Sequence, residues 1–312
     1  DILSETIQFP AFPTAQVERL RAQLLTGLSI RAQDTADMSD LIFSEILFEG
    51  HPFARPEDGW PHTIQSITRK DLQEFHRRTF GPRGMVIAVV GAVDSKRAVD
   101  FVQRALGDWK NPTQAERGEI PDQKPPRKMK RRVHKIAGKA QSDLVIGTIG
   151  PRRRDSDFMA ASLGNSILGQ FGMMGRIGEV VREKAGLAYY ASSSLSAGTG
   201  PGIWSVSAGV GPANVQKAAD LIISELKRFV GKGVTKQELS DNQNQYVGRL
   251  PLTLESNGGV AGALLNIERN GLGLDYYRQY ADNVRAVKRQ EVQAAAEKYI
   301  DPERLVIAVA GP

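Results

Sequence analysis

The feature that most constrains this chain is a duplication. Residues 66–91, "SITRKDLQEFHRRTFGPRGMVIAVVG", return at a constant offset of 220 as residues 286–311, "AVKRQEVQAAAEKYIDPERLVIAVAG". Arg69 matches Arg289, Gln73 matches Gln293 and Pro82 matches Pro302. Val86-Ile87-Ala88-Val89 matches Val306-Ile307-Ala308-Val309, and Gly91 stands opposite Gly311. A repeat of this kind means that one structural plan is used twice, so the chain has to be divided before it is folded. Each copy reads as a helix, a proline-marked turn and a short apolar strand buried on both faces. In the first copy, Thr68 and Asp71 have the spacing of an N-cap and its reciprocal partner. A weaker echo pairs residues 12–24 with 234–246 at nearly the same offset.

The second half carries more elements ahead of its closing strand than the first. Strands are expected over 143–149, 187–194 and 202–209, and helices over 157–168 and 176–184. In 211–229 an apolar stripe runs through Val215, Ala218, Ala219, Ile222, Ile223, Leu226 and Phe229, as an amphipathic helix requires. Helices interleaved with hairpin-like strand pairs favour an α+β sandwich over a doubly wound parallel sheet. The expected organisation is a first domain over 1–115, a linker over 116–130 and a second domain over 131–312. Because the first copy ends near Asp94, about half of a domain is expected to be missing ahead of Asp1.

Composition excludes some chemistry. The chain holds no cysteine, so a disulfide, a thiol nucleophile and a thiolate-bound metal are all ruled out. No run approaches the roughly 18 apolar residues of a membrane helix. The net charge of +6 fits plain solubility as well as an acidic partner.

One stretch asks for more than folding. In "VREKAGLAYYASSSL", residues 181–195, a helix ends in charged residues, turns on Gly186 and delivers two tyrosines into a strand. Arg182 and Tyr189 stand seven apart across that turn. Alone, Arg182 also reads as a last-turn cation complementing the helix dipole. Tyr189 equally reads as a strand aromatic, with Tyr190 on the opposite face.

With the segments "HPFARPEDGWPHTI" (51–64), "VREKAGLAYYASSSL" and "GRLPLTLESNGGVA" (248–261) in order, and with the duplication, the chain resembles the pitrilysin/insulinase family of zinc peptidases. The bacterial and mitochondrial-processing members are the most similar, and the resemblance covers essentially the whole chain. It implies two tandem homologous α+β domains, with mainly antiparallel sheets flanked by helices, around a chamber for peptides. It also implies an H-x-x-E-H helix and a later glutamate as the zinc site of the first half. The second half contributes an Arg and a Tyr seven apart, which hold substrate and stabilise the transition state. Arg182 and Tyr189 match that pair.

The zinc half is not matched within these residues, and the H-x-x-E-H segment itself is expected ahead of Asp1, which leaves the later glutamate as the position to compare. His51, His62, His76 and His134 include no pair at i, i+4. The family stretch that ends in the glutamate ligand aligns with "ERLRAQLLTG", so the ligand position falls on Gly27. The resemblance is therefore to the family's non-zinc subunits, with no cofactor expected in this chain and zinc expected in a partner. That partner is a zinc-bearing homologous subunit, with a homodimer as the alternative, and short unstructured peptides are the expected substrate.

Three rivals stand beside this reading. One is a self-sufficient peptidase whose ligands all lie upstream, and another is a structural scaffold. The third is a nucleic-acid binder acting through the basic run 124–135, which has seven Lys or Arg in twelve residues. That run lacks interleaved aromatics, so a solvated linker is expected and neither nucleic acid nor membrane is expected as a partner. The glycine-rich segment 169–175 follows a helix and lacks the Lys-Ser/Thr of a P-loop, which leaves a substrate-touching loop or a plain turn. His51, with Pro52 and Arg55, is expected to shape a loop. The missing cysteines and the resemblance point to the bacterial periplasm, with the cytoplasm left open.

Overall fold

The computed structural model describes residues 2–170 and 175–312. They fall into two compact units, neither continuous in sequence. One gathers residues up to 29, 57–119 and 251–269; the other gathers 30–56, 120–250 and 270–312. In chain order the helices are α1 (Ile2–Gln8), α2 (Thr14–Arg31), α3 (Thr35–Leu47), α4 (Pro61–Ser66), α5 (Arg69–Thr79) and α6 (Ser95–Leu106). They continue as α7 (Phe158–Leu168), α8 (Val215–Lys232), α9 (Lys236–Leu254), α10 (Asn257–Asn270), α11 (Tyr280–Ala286) and α12 (Arg289–Tyr299). Among the described residues no helix is long and apolar enough to cross a membrane.

The larger unit is built on a five-stranded sheet of β1 (Lys130–Lys135), β2 (Ser142–Gly150), β3 (Ala188–Ser196), β4 (Gly202–Val210) and β5 (Val306–Gly311). Its order is β1-β5-β2-β4-β3, with only β1 and β5 parallel. The protein is therefore α+β with a mainly antiparallel sheet. Leu144, Ile146, Ile307 and Val309 point to one face, where α7, α8 and α12 cover them together with Trp204 and Phe229. Val145, Val306 and Ala308 point to the other face, which α3 closes with Ile42, Phe43, Ile46 and Leu47. β2 and β5 are buried from end to end because both faces are covered, and their near-continuous apolar runs follow from that. Gly164 lets α7 lie close to its neighbours, since a Cβ there would sit 3.2 Å from both Phe229 Cζ and Val292 Cγ1.

The duplicated helices form as the sequence predicts, and Thr68 and Asp71 cap α5 reciprocally. The strand of the first copy does not form. Residues 85–90 are not extended into any sheet, and Val86, Ile87 and Val89 are 49%, 45% and 52% exposed. The physical reason is pairing: β5 lies between two strands, whereas the smaller unit has no other strand among its described residues to supply a ladder.

The basic run differs from expectation as well. Residues 130–135 form the edge strand β1 rather than a free linker. Lys130 bonds Glu49 at 2.6 Å, Arg132 bonds Glu45 at 3.0 Å and Arg131 bonds Gln216 at 2.6 Å. Charged side chains on an exposed edge also discourage pairing with another chain.

Candidate functional site

Arg182 is carried on a π-helical turn, Gly178–Glu183, where the sequence suggests an ordinary helix over 176–184. The wider winding shows in Lys184 N–H, which donates to the Glu179 carbonyl five residues back at 2.9 Å. At the far end Gly186 adopts φ +62°, a conformation that glycine reaches at little cost. Gly186 N–H donates to the Arg182 carbonyl at 2.9 Å, and Leu187 N–H donates to the Val181 carbonyl at 3.1 Å. These two bonds tie the turn bearing Arg182 to the start of β3.

β3 then carries one residue too many. Ala188 pairs with Val210 and Tyr190 with Gly209, so Tyr189 is the extra residue of a β-bulge. Its side chain is turned out of the ladder and is 84% exposed. Its hydroxyl bonds no other described residue. Arg182 keeps 35% of its side chain exposed and, among the described residues, has one ionic neighbour, Glu183, at 3.6 Å. Neither donor makes a hydrogen bond to another described residue, and the two stand on either side of a tightly bonded turn.

Tyr190 has the opposite environment. Its hydroxyl donates to Asp143 Oδ1 at 2.7 Å, while Thr35 Oγ1 donates to Oδ2 at 2.5 Å and Gln141 Nε2 reaches both oxygens at 3.0 and 3.1 Å. Burial, followed by the Asp143 hydrogen bond and charge, pushes the Tyr190 phenol well above its ordinary value. Nearby, burial and the charges of Asp37 and Asp143 raise the Asp40 carboxyl. Gly209 is required opposite Tyr190, because a Cβ there would lie 2.5 Å from Tyr190 Cε1. The sequence reading did not single out Asp143 or Gly209. The available signal was an aspartate at the start of a largely apolar strand, a residue type rarely buried without partners.

The π-turn is anchored from beneath by Arg176, which is nearly buried. Its guanidinium grips Glu238 at 2.7 and 2.8 Å, donates to the Gly233 carbonyl at 3.0 Å and lies 3.7 Å from the buried Glu225. A planar fork held at both ends fixes a direction as well as a position. Of the segment 169–175, residues 171–174 lie outside the described residues. Its end glycines touch backbone to backbone, and a Cβ on Gly175 would collide with Gly169.

Gly27 lies in α2, exposed, and a Cβ there would meet only open space. His51 is committed elsewhere: its Nδ1 accepts from Phe53 N–H at 3.0 Å and its Nε2 donates to the Pro121 carbonyl at 3.1 Å, capping a short turn. His76 Nε2 bonds the Ile7 carbonyl at 2.7 Å. Among the described residues no group of three or more metal-binding side chains is assembled, so these residues do not fit a zinc site.

Residues 66–246 match the family model described as the peptidase M16 inactive domain. An uncharacterized zinc protease of Mycobacterium leprae is 28% identical over 100% of this chain and 70% of its own length. A non-peptidase homolog of Helicobacter pylori is 23% identical over 98% of this chain and 70% of its own length. The crystal structure of a peptidase M16 inactive domain from Pseudomonas fluorescens superposes with a TM-score of 0.90 at 26% identity, covering 99% of this chain and 73% of that one.

Proposed function

The chain belongs to the peptidase M16 inactive-domain family, and from that premise we propose that it is the non-zinc subunit of a metalloendopeptidase, supplying Arg182 and Tyr189 to a zinc-bearing partner that cleaves short unstructured peptides. The observation that carries this reading is the pairing of a π-turn with a β-bulge. Both devices cost regular hydrogen bonding, and each presents a donor that makes no hydrogen bond to another described residue. Tyr189 donates its phenol hydrogen to the oxygen that gains charge as the peptide carbonyl becomes tetrahedral. Arg182 grips a neighbouring carbonyl or carboxylate of the substrate with its planar fork. Gly27 supports assigning the metal to the partner, and we place the pair in the bacterial periplasm.

The test is turnover of a short peptide by the assembled pair. Tyr189→Phe and Arg182→Lys are each expected to lower the rate by about 10²–10³-fold with thermal unfolding unchanged. Unchanged turnover in both would leave a structural scaffold, the reading that the non-peptidase relative favours. Zinc content separates the third possibility: the protein purified without a partner is expected to hold close to none. About one zinc per chain retained through dialysis would make it a peptidase in its own right.

A further inference from the structure

A concave site that includes neither Arg182 nor Tyr189 lies in the larger unit. It is a cleft of about 370 Å³ between the start of α7, the segment around Leu272 and Tyr276, and the facing sides of α11 and α12. Its centre is Arg153. The guanidinium carbon stands 4.3 Å from the ring centroid of Phe158 and 5.1 Å from that of Tyr276, and Nη2 donates to the Tyr276 hydroxyl at 2.7 Å. The backbone beneath is fixed too, with Arg153 N–H donating to the Gly198 carbonyl at 3.0 Å.

A half-buried arginine set against two aromatic rings normally has a carboxylate opposite it, since its remaining donors are otherwise uncompensated. Here none of the described residues provides one, and Nε and Nη1 are unspent. Three further donors line the same cleft with no partner among the described residues: the Arg154 guanidinium, the Ser156 hydroxyl and the Asn283 amide. Two acids also line the cleft, and neither pairs with Arg153. Asp155 accepts from Arg152 N–H at 2.8 Å, and Glu291 accepts from Lys288 N–H at 2.7 Å as the cap of α12. The rest of the wall is apolar, formed by Met159, Leu272, Ala286 and Val287 with the Phe158 ring.

Arg153 beside an apolar wall, with three exposed donors also lining the cleft, suits an anion attached to an apolar group. A bare phosphate leaves the wall uncovered, and a neutral apolar ligand leaves Arg153 uncompensated. We propose that this cleft binds the free carboxyl end of a peptide whose last residue is apolar, with Arg153 pairing with the carboxylate and the last side chain lying against Met159, Leu272 and Val287. The volume is at the small end for ligand sites and holds one or two residues. The site involves no reaction and is independent of Arg182 and Tyr189, so its failure leaves the proposed function untouched.

Titration calorimetry on the 312-residue chain tests it, with the tetrapeptide Gly-Gly-Ala-Phe as free acid, the same peptide as C-terminal amide, N-acetylphenylalanine and inorganic phosphate. The acid is expected to bind, the amide to bind at least about tenfold more weakly, and phosphate to compete only weakly. N-acetylphenylalanine binding as tightly as the tetrapeptide would overturn the assignment to a peptide end in favour of a small carboxylate. Arg153→Gln is expected to abolish the preference for acid over amide. Because that change also removes the bond to Tyr276, Ala286→Trp serves as a second variant: Ala286 is an exposed helix residue lining the cleft, and an indole there is expected to obstruct it with Arg153 itself unchanged. Equal binding of acid and amide, or unchanged binding in Ala286→Trp, overturns the proposal.

Discussion

Tyr189 and Tyr190 are adjacent in sequence, yet one phenol is held by a buried aspartate and the other stands in solvent. The bulge separates them by placing an unpaired residue where alternation would put a ladder residue. Substitutions should therefore part the two roles. Tyr190→Phe removes the hydrogen bond to Asp143, which keeps Thr35 and Gln141, so a stability loss of about 1–2 kcal/mol is expected from denaturant unfolding. Tyr189→Phe should leave the same unfolding curve unmoved, because its hydroxyl holds nothing in the fold. Equal destabilisation by both would mean that Tyr189 is structural. The spacing of Arg182 and Tyr189 was legible in the sequence. The aspartate beneath Tyr190 was not, because Asp143 and Thr35 meet Tyr190 only when β2, α3 and β3 are brought together.

At the scale of elements, the π-turn depends on a charged anchor. Burial raises the Glu238 carboxyl, but the Arg176 fork and the Thr235 hydrogen bonds outweigh it and hold the group at about 2, below its ordinary 4.5. A carboxylate lowered in the folded state adds stability that is complete above its unfolded value and is lost as pH falls from 4.5 towards 2. Asp40, raised by burial, contributes with the opposite sign, so the wild type alone does not isolate the effect. The difference from Glu238→Gln does. At neutral pH the variant is expected to be less stable by on the order of 2–3 kcal/mol, with the gap narrowing below pH 4.5 and closing as pH approaches 2. A gap independent of pH would mean that Glu238 acts through packing rather than charge. The amphipathic stripe of α8 and the apolar runs of β2 and β5 could be read from periodicity. The π-turn could not, since an extra residue in a helix leaves no periodic mark in so short a segment.

At the scale of the whole molecule, the two copies of the repeat have different fates. In β5 the sequence Val-Ile-Ala-Val is paired on both sides and buried; in residues 86–89 the same four residues carry no ladder and face solvent. Hydrogen exchange on the 312-residue chain should report this directly. Amides of Val306–Gly311 are expected to exchange only on global opening, and those of residues 85–90 orders of magnitude faster. Comparable protection in both would mean that the first copy has found strand partners. What the sequence by itself determined was local or periodic: the duplicated helices, the caps, the two-faced strands and the Arg–Tyr spacing. All of these follow from side-chain volume, backbone preference and distance along the chain. The tertiary structure alone decided which copy became a strand, which tyrosine was turned outward and which arginine was left without a carboxylate. A strand exists only with its neighbours, and a donor is unspent only when nothing from elsewhere in the fold comes to meet it.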